Sequence, residues 1–408
     1  MASKAGNVLE LAIGFTPQEP EWPRSLAETR AASTAHWAEF WQSGASVEFA
    51  GSTDPRAAEL ELTISTWYGK HHTEMIWWHA AHFALWDRTE LLEKNLRWFV
   101  QALPIARDLA RSRELPGARW AKMIGPDGRE SPGGNPLIVW NQPHPIHLAE
   151  LVYRNVPTAD TLQRYRELVL DTAECMAAML QWDEPRQRYN LGPPLWIAQE
   201  IYDQATNMNP TYELSYWIRG LTLAQQWRER LGLGRHPDWD KRIAQIARLP
   251  VKDGKYVAME SMPDTWDNAA SRHDHPSFLM ALGQLPGDGV DRPTMRRTLE
   301  AVMASWDWET KIWGWDYPMV AMTAARLGEP AKAVDVLLFT RGPNNAYRPN
   351  GHCPQRGDLP VYLPANGALL AAVAMMAGGW DGAPVANAPG FPQDGSWRVR
   401  AEGLRRLP

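Results

Sequence analysis

The stretch PLWIAQEIYDQATNMNPTYELSYWIRG, residues 194–220, shows the pattern that repeats along this chain. A long connection ends at Asn209, and Pro210 then begins a helix, because proline is favoured in the first helical turn. Apolar residues recur at helical spacing after it, which predicts a helix over 210–231. A connection of this length inside a compact domain is uncommon unless it is functional. The stretch therefore predicts a helix preceded by a functional loop.

Helices and long connections alternate in both directions from this stretch. The predicted helices are 25–44, 54–65, 73–85, 88–103, 104–113, 145–155, 158–182, 210–231, 237–249, 276–285, 292–306, 318–327, 330–339 and 366–378. The long connections are 116–144, 181–209, 251–275, 306–317 and 339–365, and short strands are expected only at 137–140 and 255–259. This pattern is typical of an all-α fold, a closed ring of helical hairpins or (α/α)6 barrel, whose long loops form a cleft at one end. The barrel is expected at 25–385, between extensions at 1–24 and 386–408.

Composition excludes several classes of function. The chain has 408 residues and a net charge of −5, so no basic surface for nucleic acid or an anionic membrane is expected. Two cysteines are too few for a disulfide framework or a cysteine zinc site, and no dedicated metal or nucleotide motif occurs. No signal peptide or membrane span is expected. These features predict a cytoplasmic monomer or homodimer without metal or cofactor.

The chain has 22 tryptophans and only eight phenylalanines. A core does not need this ratio, whereas a site for flat, hydroxyl-rich rings does, because an indole offers both a stacking face and an N–H donor. Tryptophans in helical stretches are expected to be core. A second group lies in connections rich in glycine, proline and aspartate, namely Trp67, Trp120, Trp140, Trp196, Trp266, Trp308, Trp313 and Trp315. The loop group predicts a carbohydrate-binding cleft.

Carboxylates lie beside several of these tryptophans. Glu200 is surrounded by apolar neighbours, which would raise its pKa and suit a general acid. Asp316, between Trp315 and Tyr317, could cap a helix or activate a water molecule. Glu74 and Glu213 have ordinary structural alternatives, because both lie in or near a first helical turn. Two carboxylates, one protonated and one ionised, are the minimum for glycosidic hydrolysis.

The segments 189–191, 199–202 and 207–212 together resemble the catalytic-loop region of glycoside hydrolase family 65. His72-Thr73-Glu74 resembles its substrate loop, with His72 in place of an aspartate. Further similar segments, in the same order, are Gly117-Ala118-Arg119-Trp120, Gln142-Pro143-His144-Pro145-Ile146 and Asn366-Gly367, the last also similar to family 95. The resemblance implies an inverting (α/α)6 barrel in which Glu200 is the general acid. It departs from the family at Ala198-Gln199, where the family carries Pro-Asp.

Two further departures concern the chain as a whole. The family often has an N-terminal β-sandwich, for which this sequence has no room. Its phosphorylases bind phosphate through serine and histidine near the region of Asp316, whereas a carboxylate there would repel phosphate. The sequence therefore favours a hydrolase over a disaccharide phosphorylase.

The resulting hypothesis is an inverting glycosidase acting on an α-linked sugar, with Glu200 as acid and Asp316 as base. Glu213 and Glu74 are the next candidates for the acid. The residues expected to bind substrate are Trp67, His72, Glu74, Arg119, Trp120, Lys122, Gln142, His144, Glu213, Trp266, Trp313 and Trp315. The alternatives are the phosphorylase, a sugar epimerase, isomerase or lyase with a histidine or tyrosine base, and a carbohydrate-binding protein without catalysis.

Overall fold

The computed structural model describes residues 73–124, 130, 136–200, 202–310, 312–348 and 351–408, with 2–5, 8–11, 28, 31–32, 34–35, 39, 46–48 and 52–54 before them. The chain forms two compact units, Met1–Ala45 and Ser46–Pro408. In the first, strands β1 (Ala2–Ala5) and β2 (Val8–Leu11) form an antiparallel hairpin. The predicted helices 25–44 and 54–65, together with Trp67 and His72, lie largely or wholly outside the described residues.

The second unit is built from helices with a few short strands. In chain order these are β3 (Ser46–Glu48), α1 (Ile76–Leu85), α2 (Thr89–Arg111), α3 (His144–Asn155), α4 (Ala159–Ala178), β4 (Leu180–Asp183), β5 (Arg188–Leu191), α5 (Thr211–Arg230), α6 (Pro237–Gln245), β6 (Val251–Lys252), β7 (Lys255–Tyr256), α7 (Arg292–Ser305), α8 (Asp316–Arg326), α9 (Pro330–Leu337), α10 (Leu363–Gly378) and β8 (Arg400–Glu402). Three 3-10 helices lie at Ala269–Arg272, Ser277–Leu282 and Pro343–Asn345.

Buried helical elements form a closed inner ring. In ring order these inner elements are α1, α3, α5, the 3-10 helix Ser277–Leu282, α8 and α10; each packs against the next, and α10 packs against α1. The sequences of α1 and α10 are apolar on nearly all sides, and such helices are stable only where they are buried all round. The helices α2, α4, α6, α7 and α9 pack outside this ring. The predicted all-α ring of hairpins is confirmed.

The contact between α10 and α1 depends on a glycine. A Cβ atom at Gly367 would lie 1.7 Å from the carbonyl oxygen of Trp78. No side chain larger than hydrogen fits there, because interiors are close-packed. The close approach of these two helices closes the ring.

Some predicted boundaries are wrong. The helices predicted at 88–103 and 104–113 are one helix, α2, with Pro104 inside it. Proline removes one backbone hydrogen bond, but buried residues on both sides of it, including Phe99 and Ala106, anchor the helix to the ring. The helix predicted to reach residue 182 ends at Ala178, since β4 and β5 form an antiparallel hairpin there.

The C-terminal residues pack onto the second unit. Strand β8 pairs with β3, and the backbone N–H of Arg405 donates to the carbonyl of Leu85 at 2.9 Å. Leu407 is fully buried. Within the described parts of the chain, no helix has the length and apolarity needed to cross a membrane.

Candidate active site

The polar residues of interest lie at the ends where the inner elements begin. Glu74 precedes α1, His144 is the first residue of α3, and Glu213 is in the first turn of α5. His275 precedes the 3-10 helix Ser277–Leu282, and Asp316 is the first residue of α8. Since all of these ends meet at one side of the ring, the fold brings together groups that are far apart in sequence. Two clusters of charged side chains lie at this side.

The first, here called the lysine cluster, consists of Glu74, Lys122 and Glu200. The Lys122 ammonium lies 3.5 Å from the Glu74 carboxyl and forms a hydrogen-bonded ion pair with Glu200. The Glu200 side chain is 39% exposed, whereas the side chains of Glu74 and Lys122 are nearly buried. Glu200 is therefore the member of this cluster most accessible to a ligand.

Burial governs the protonation of Glu74. Desolvation raises its pKa to about 7; nearby Glu200 adds to the shift, while Lys122 and a 3.2 Å hydrogen bond from Trp140 Nε1 oppose it. A carboxyl group with this pKa exchanges a proton near neutral pH. The lysine cluster can therefore hold one exchangeable proton.

Buried side chains hold the segment that carries Lys122. Arg119 donates to the carbonyls of Pro136 (3.0 Å) and Ile138 (3.1 Å), and Gln142 accepts from the Trp120 backbone N–H at 2.9 Å. The hydroxyl of Thr73 donates to the Lys122 carbonyl. Arg119 and Gln142, expected from the sequence to contact substrate, lie within the protein and fix the backbone that presents Lys122.

The second, here called the histidine cluster, consists of Asp274, His275 and Asp316. His275 Nδ1 lies 2.9 and 3.0 Å from the two Asp316 carboxylate oxygens, and its Nε2 lies 2.9 Å from Asp274 Oδ1. Asp316 Oδ2 also accepts from the Trp313 backbone N–H at 2.9 Å. The imidazole is held between two carboxylates.

Charge in the histidine cluster favours an imidazolium. Burial alone would lower the pKa of His275, but Asp274 and Asp316 outweigh it and raise that pKa to about 10. Burial tends to raise the pKa of Asp274, yet the charge and hydrogen bonds of His275 leave it below the ordinary value. Burial raises the pKa of Asp316, partly offset by His275.

Stacked indoles connect the two clusters beneath the site. The Trp315 ring lies 4.2 Å from His275, 5.3 Å from Trp78 and 6.4 Å from Trp140, measured between centroids. All three tryptophans are almost fully buried, so they form the floor of the site and offer little face to a ligand. Trp313 is more exposed and packs against His275 and Tyr362.

His144 and Glu213 support the site from below. His144 Nε2 donates to the Glu74 carbonyl at 3.0 Å, so its Nδ1 accepts from the Tyr216 hydroxyl at 2.9 Å. Burial lowers the pKa of His144 to about 3, which keeps it neutral. Burial raises the pKa of Glu213 to about 8, opposed by hydrogen bonds from its own backbone N–H and that of Ala198. Glu213 thus lies under the loop that carries Glu200.

A hydrogen bond joins that loop to the neighbouring inner element. Ser277 donates to the side chain of Gln199 at 2.8 Å. Glu200 itself has a positive φ of 56°, a conformation that non-glycine residues rarely adopt and that often marks functional sites. The loop that carries Glu200 is therefore held by Glu213 of α5 beneath it and by Ser277 of the neighbouring 3-10 helix.

The structure brings together Glu74, Lys122, Glu200, Asp316, Trp313 and Trp315 from the sequence-predicted set. Trp120 packs in the core against Phe99, and its indole donates to Thr172 at 2.9 Å. Trp266 donates to the Tyr256 carbonyl and packs against Phe278. Asp274 and His275 lie in a further candidate region of the sequence, 264–275, but had no role in the favoured hypothesis, and Tyr362 was not selected. Their position just before an inner element is the signal that could have found them.

No group of three or more histidine, cysteine, aspartate or glutamate side chains among the described residues is arranged to hold a metal ion.

Comparison with known proteins identifies the fold. No known family matches the sequence, and no curated protein matches it. Among solved structures, the chain resembles a putative kojibiose phosphorylase from the human microbiome (10% identity, TM-score 0.63), over 87% of this chain and 56% of that one. It also resembles a glycosidase (14%, 0.52, over 75% and 87%) and a bacterial glucoamylase complexed with acarbose (13%, 0.52, over 74% and 48%).

The chain thus spans about half the length of the phosphorylase and of the glucoamylase. These likenesses confirm the six-hairpin (α/α)6 barrel expected from the resemblance to family 65.

Proposed function

We propose that this chain is a glycoside hydrolase that cleaves an α-linked glycosidic bond with inversion. The observation that carries the proposal is the pair of acidic clusters at one end of a barrel shared with glycoside-processing enzymes. Hydrolysis with inversion needs a carboxylic acid at the leaving oxygen and a carboxylate for the attacking water. The lysine and histidine clusters supply one of each. The substrate is a carbohydrate.

Glu200 is the proposed general acid, as the sequence indicates. Glu74 and Glu200 share Lys122 as their charged neighbour. With a pKa of about 7, Glu74 holds this cluster's proton in a large part of the molecules at neutral pH. Glu200, the more exposed member, passes the proton to the leaving oxygen.

The histidine cluster is the proposed source of the base. Asp316, the base expected from the sequence, is fully buried, and His275 and Trp313 occupy its oxygens. We therefore propose that Asp316 contributes to water activation through His275 rather than by contact with water.

Net charge favours hydrolysis over phosphorolysis. The two clusters contain four carboxyl groups, Glu74, Glu200, Asp274 and Asp316, one of which holds the exchangeable proton, and two cations, Lys122 and protonated His275. The excess of negative charge would repel a phosphate dianion, whereas it would stabilise the positive charge that develops on the sugar ring. The net negative charge of the two clusters therefore favours water over phosphate as the acceptor of the glycosyl group.

The test incubates the protein with a panel of disaccharides and aryl α-glycosides, with and without phosphate, and follows the products by NMR. We expect the β-anomer to appear first, at a rate independent of phosphate. First release of the α-anomer would exclude inversion. A phosphate-dependent sugar phosphate would instead show a phosphorylase, and a product of unchanged mass would show an epimerase or isomerase.

The matched variant is Glu200→Gln, which keeps the shape of the side chain and removes its acidity. We expect a loss of turnover of about 10²–10⁴-fold on substrates with poor leaving groups. The thermal unfolding transition should stay close to that of the wild type, because Glu200 is exposed at the cleft. Near-normal turnover would exclude Glu200 as the acid and turn attention to Glu74 and Glu213.

A further inference from the structure

We propose that Asp274 is the base that removes the proton from the attacking water, and that His275 and Asp316 are positioning residues. This inference rests on the proposed function and specifies which atoms of the histidine cluster contact water.

Exposure separates the two carboxylates of the cluster. The side chain of Asp274 is 26% exposed and that of Asp316 is 0% exposed. Both Asp316 oxygens lie within 3.0 Å of His275 Nδ1, and one also accepts from the Trp313 backbone. Water has no access to Asp316, whereas it can reach Asp274.

The hydrogen bonds of Asp274 fix its orientation without using all of its acceptor capacity. Its Oδ1 accepts from His275 Nε2 and from the His275 backbone N–H, each at 2.9 Å. The Trp313 side chain donates a further hydrogen bond to the carboxylate. A carboxylate has about four lone-pair sites, so one remains for a water molecule. The positive φ of Asp274, 62°, belongs to the turn that places it there.

Position in the ring places Asp274 across from Glu74 and next to the loop that carries Glu200. Glu74 precedes α1, the first inner element, and Asp274 precedes the fourth, Ser277–Leu282. In a closed ring of six, the first and fourth positions are opposite each other. Inversion requires acid and base on opposite faces of the sugar ring, and a sugar bound between Glu200, ahead of the third inner element, and Asp274, ahead of the fourth, would meet this requirement. Glu74 is excluded as the base, because it shares Lys122 with the acid.

The proposed step is the attack of water on the anomeric carbon. The water oxygen forms a bond to the anomeric carbon while the bond from that carbon to the leaving oxygen breaks. One water proton goes to the Asp274 carboxylate, and the proton held by the lysine cluster goes to the leaving oxygen through Glu200. Asp274 then releases its proton to solvent, and the lysine cluster takes one up.

The experiment compares Asp274→Asn with Asp316→Asn on an activated α-glycoside that the wild type hydrolyses, with and without azide. Azide is a nucleophile that needs no base, so it should restore turnover where only the base is missing. For Asp274→Asn we expect turnover to fall about 10²–10⁴-fold and azide to restore it with formation of the β-glycosyl azide. For Asp316→Asn we expect a loss that azide does not restore and a shifted pH–rate profile, because His275 loses a partner.

The control is Asp267→Asn, which changes an exposed carboxylate paired with Lys252 and should leave turnover unchanged. Near-normal turnover of Asp274→Asn, or azide rescue of Asp316→Asn alone, would overturn the inference while the proposed function stands. A wild type without any glycosidase activity would overturn the proposed function and the inference with it. Thermal unfolding of each variant separates loss of chemistry from loss of fold.

Discussion

Glu213 shows how burial changes the chemistry of a single carboxyl group. Its side chain is 1% exposed in the first turn of α5, and burial raises its pKa from 4.5 to about 8. At neutral pH it is therefore mostly protonated. It was considered from the sequence as a possible acid, but it lies beneath the Glu200 loop rather than in contact with solvent. The protonation of Glu213 therefore affects the stability of the fold rather than the proposed reaction.

We predict that Glu213→Gln changes how stability depends on pH. Between pH 4.5 and about 8 the unfolded chain releases this proton while the folded chain keeps it. The wild type therefore loses stability as pH rises through this window, by at most about 1.4 kcal/mol per pH unit. The glutamine variant lacks this contribution. Urea unfolding at pH 5 and pH 8 measures the difference in unfolding free energy between the variant and the wild type. This difference should shift in favour of the variant from pH 5 to pH 8. An equal difference at both pH values would contradict the prediction.

Single residues also show how far the site could be predicted. Glu200 and Asp316 were identified from the sequence because carboxylates beside tryptophan suggest a sugar site, and the structure places one of them in each cluster. The pairing of Asp274 with His275 and Asp316 was not, because those contacts join neighbouring barrel positions 41 residues apart. Trp120 was assigned to the cleft because it lies in a long connection, but that connection passes through the core.

At the scale of the element, the inner helices depend on how closely they approach one another. Their apolar sequences predict burial but not the neighbour or the distance. The partners follow from ring closure, which is a property of the whole chain. Gly367 is the position where this distance is set, since a Cβ atom there would meet the Trp78 carbonyl.

We predict that Gly367→Ala destabilises the fold by about 1–3 kcal/mol or more, because α10 must move away from α1. The matched control is Gly357→Ala, where a Cβ atom would meet nothing within 4 Å, and it should have little effect. The measurement is the midpoint of thermal unfolding for both variants. Equal midpoints would show that the ring adapts to the added methyl group.

Element boundaries were less predictable than element types. Pro104 suggested a break, but one lost hydrogen bond does not outweigh the burial of α2 on both sides of it. The hairpin of β4 and β5 was missed because its strands have only four residues each and no Gly or Pro separates β4 from the helix before it. Local sequence therefore predicts which segments are helical better than it predicts where each helix ends.

At the scale of the molecule, the last residues are part of the packing. The sequence predicts a C-terminal extension at 386–408. In the structure, Phe391, Trp397 and Leu407 are buried, and the Leu407 backbone N–H donates to the Gly379 carbonyl at 3.3 Å. Burying three side chains of this size contributes roughly 5–9 kcal/mol. This is comparable to the whole stability of a typical domain.

We predict that a chain ending at Val385 does not fold stably at 37 °C. Its thermal transition should be lost or lowered by more than about 10 °C, as followed by circular dichroism. The substitution Val385→Ser, at a fully exposed position, should leave the transition unchanged. A truncated chain that unfolds at the wild-type temperature would show that residues after 385 only cover the surface.

The indole floor gives the molecule an optical property of its own. The Trp315 ring lies 5.3 Å from Trp78 and 6.4 Å from Trp140, and the Trp315 and Trp140 rings are inclined by only 26°. Transition dipoles this close couple, and the imidazolium of His275, 4.2 Å from Trp315, quenches indole emission. Any ligand that moves His275 or takes up its charge will change the fluorescence of this stack, so the chain carries a built-in reporter of occupancy at the place where chemistry is proposed.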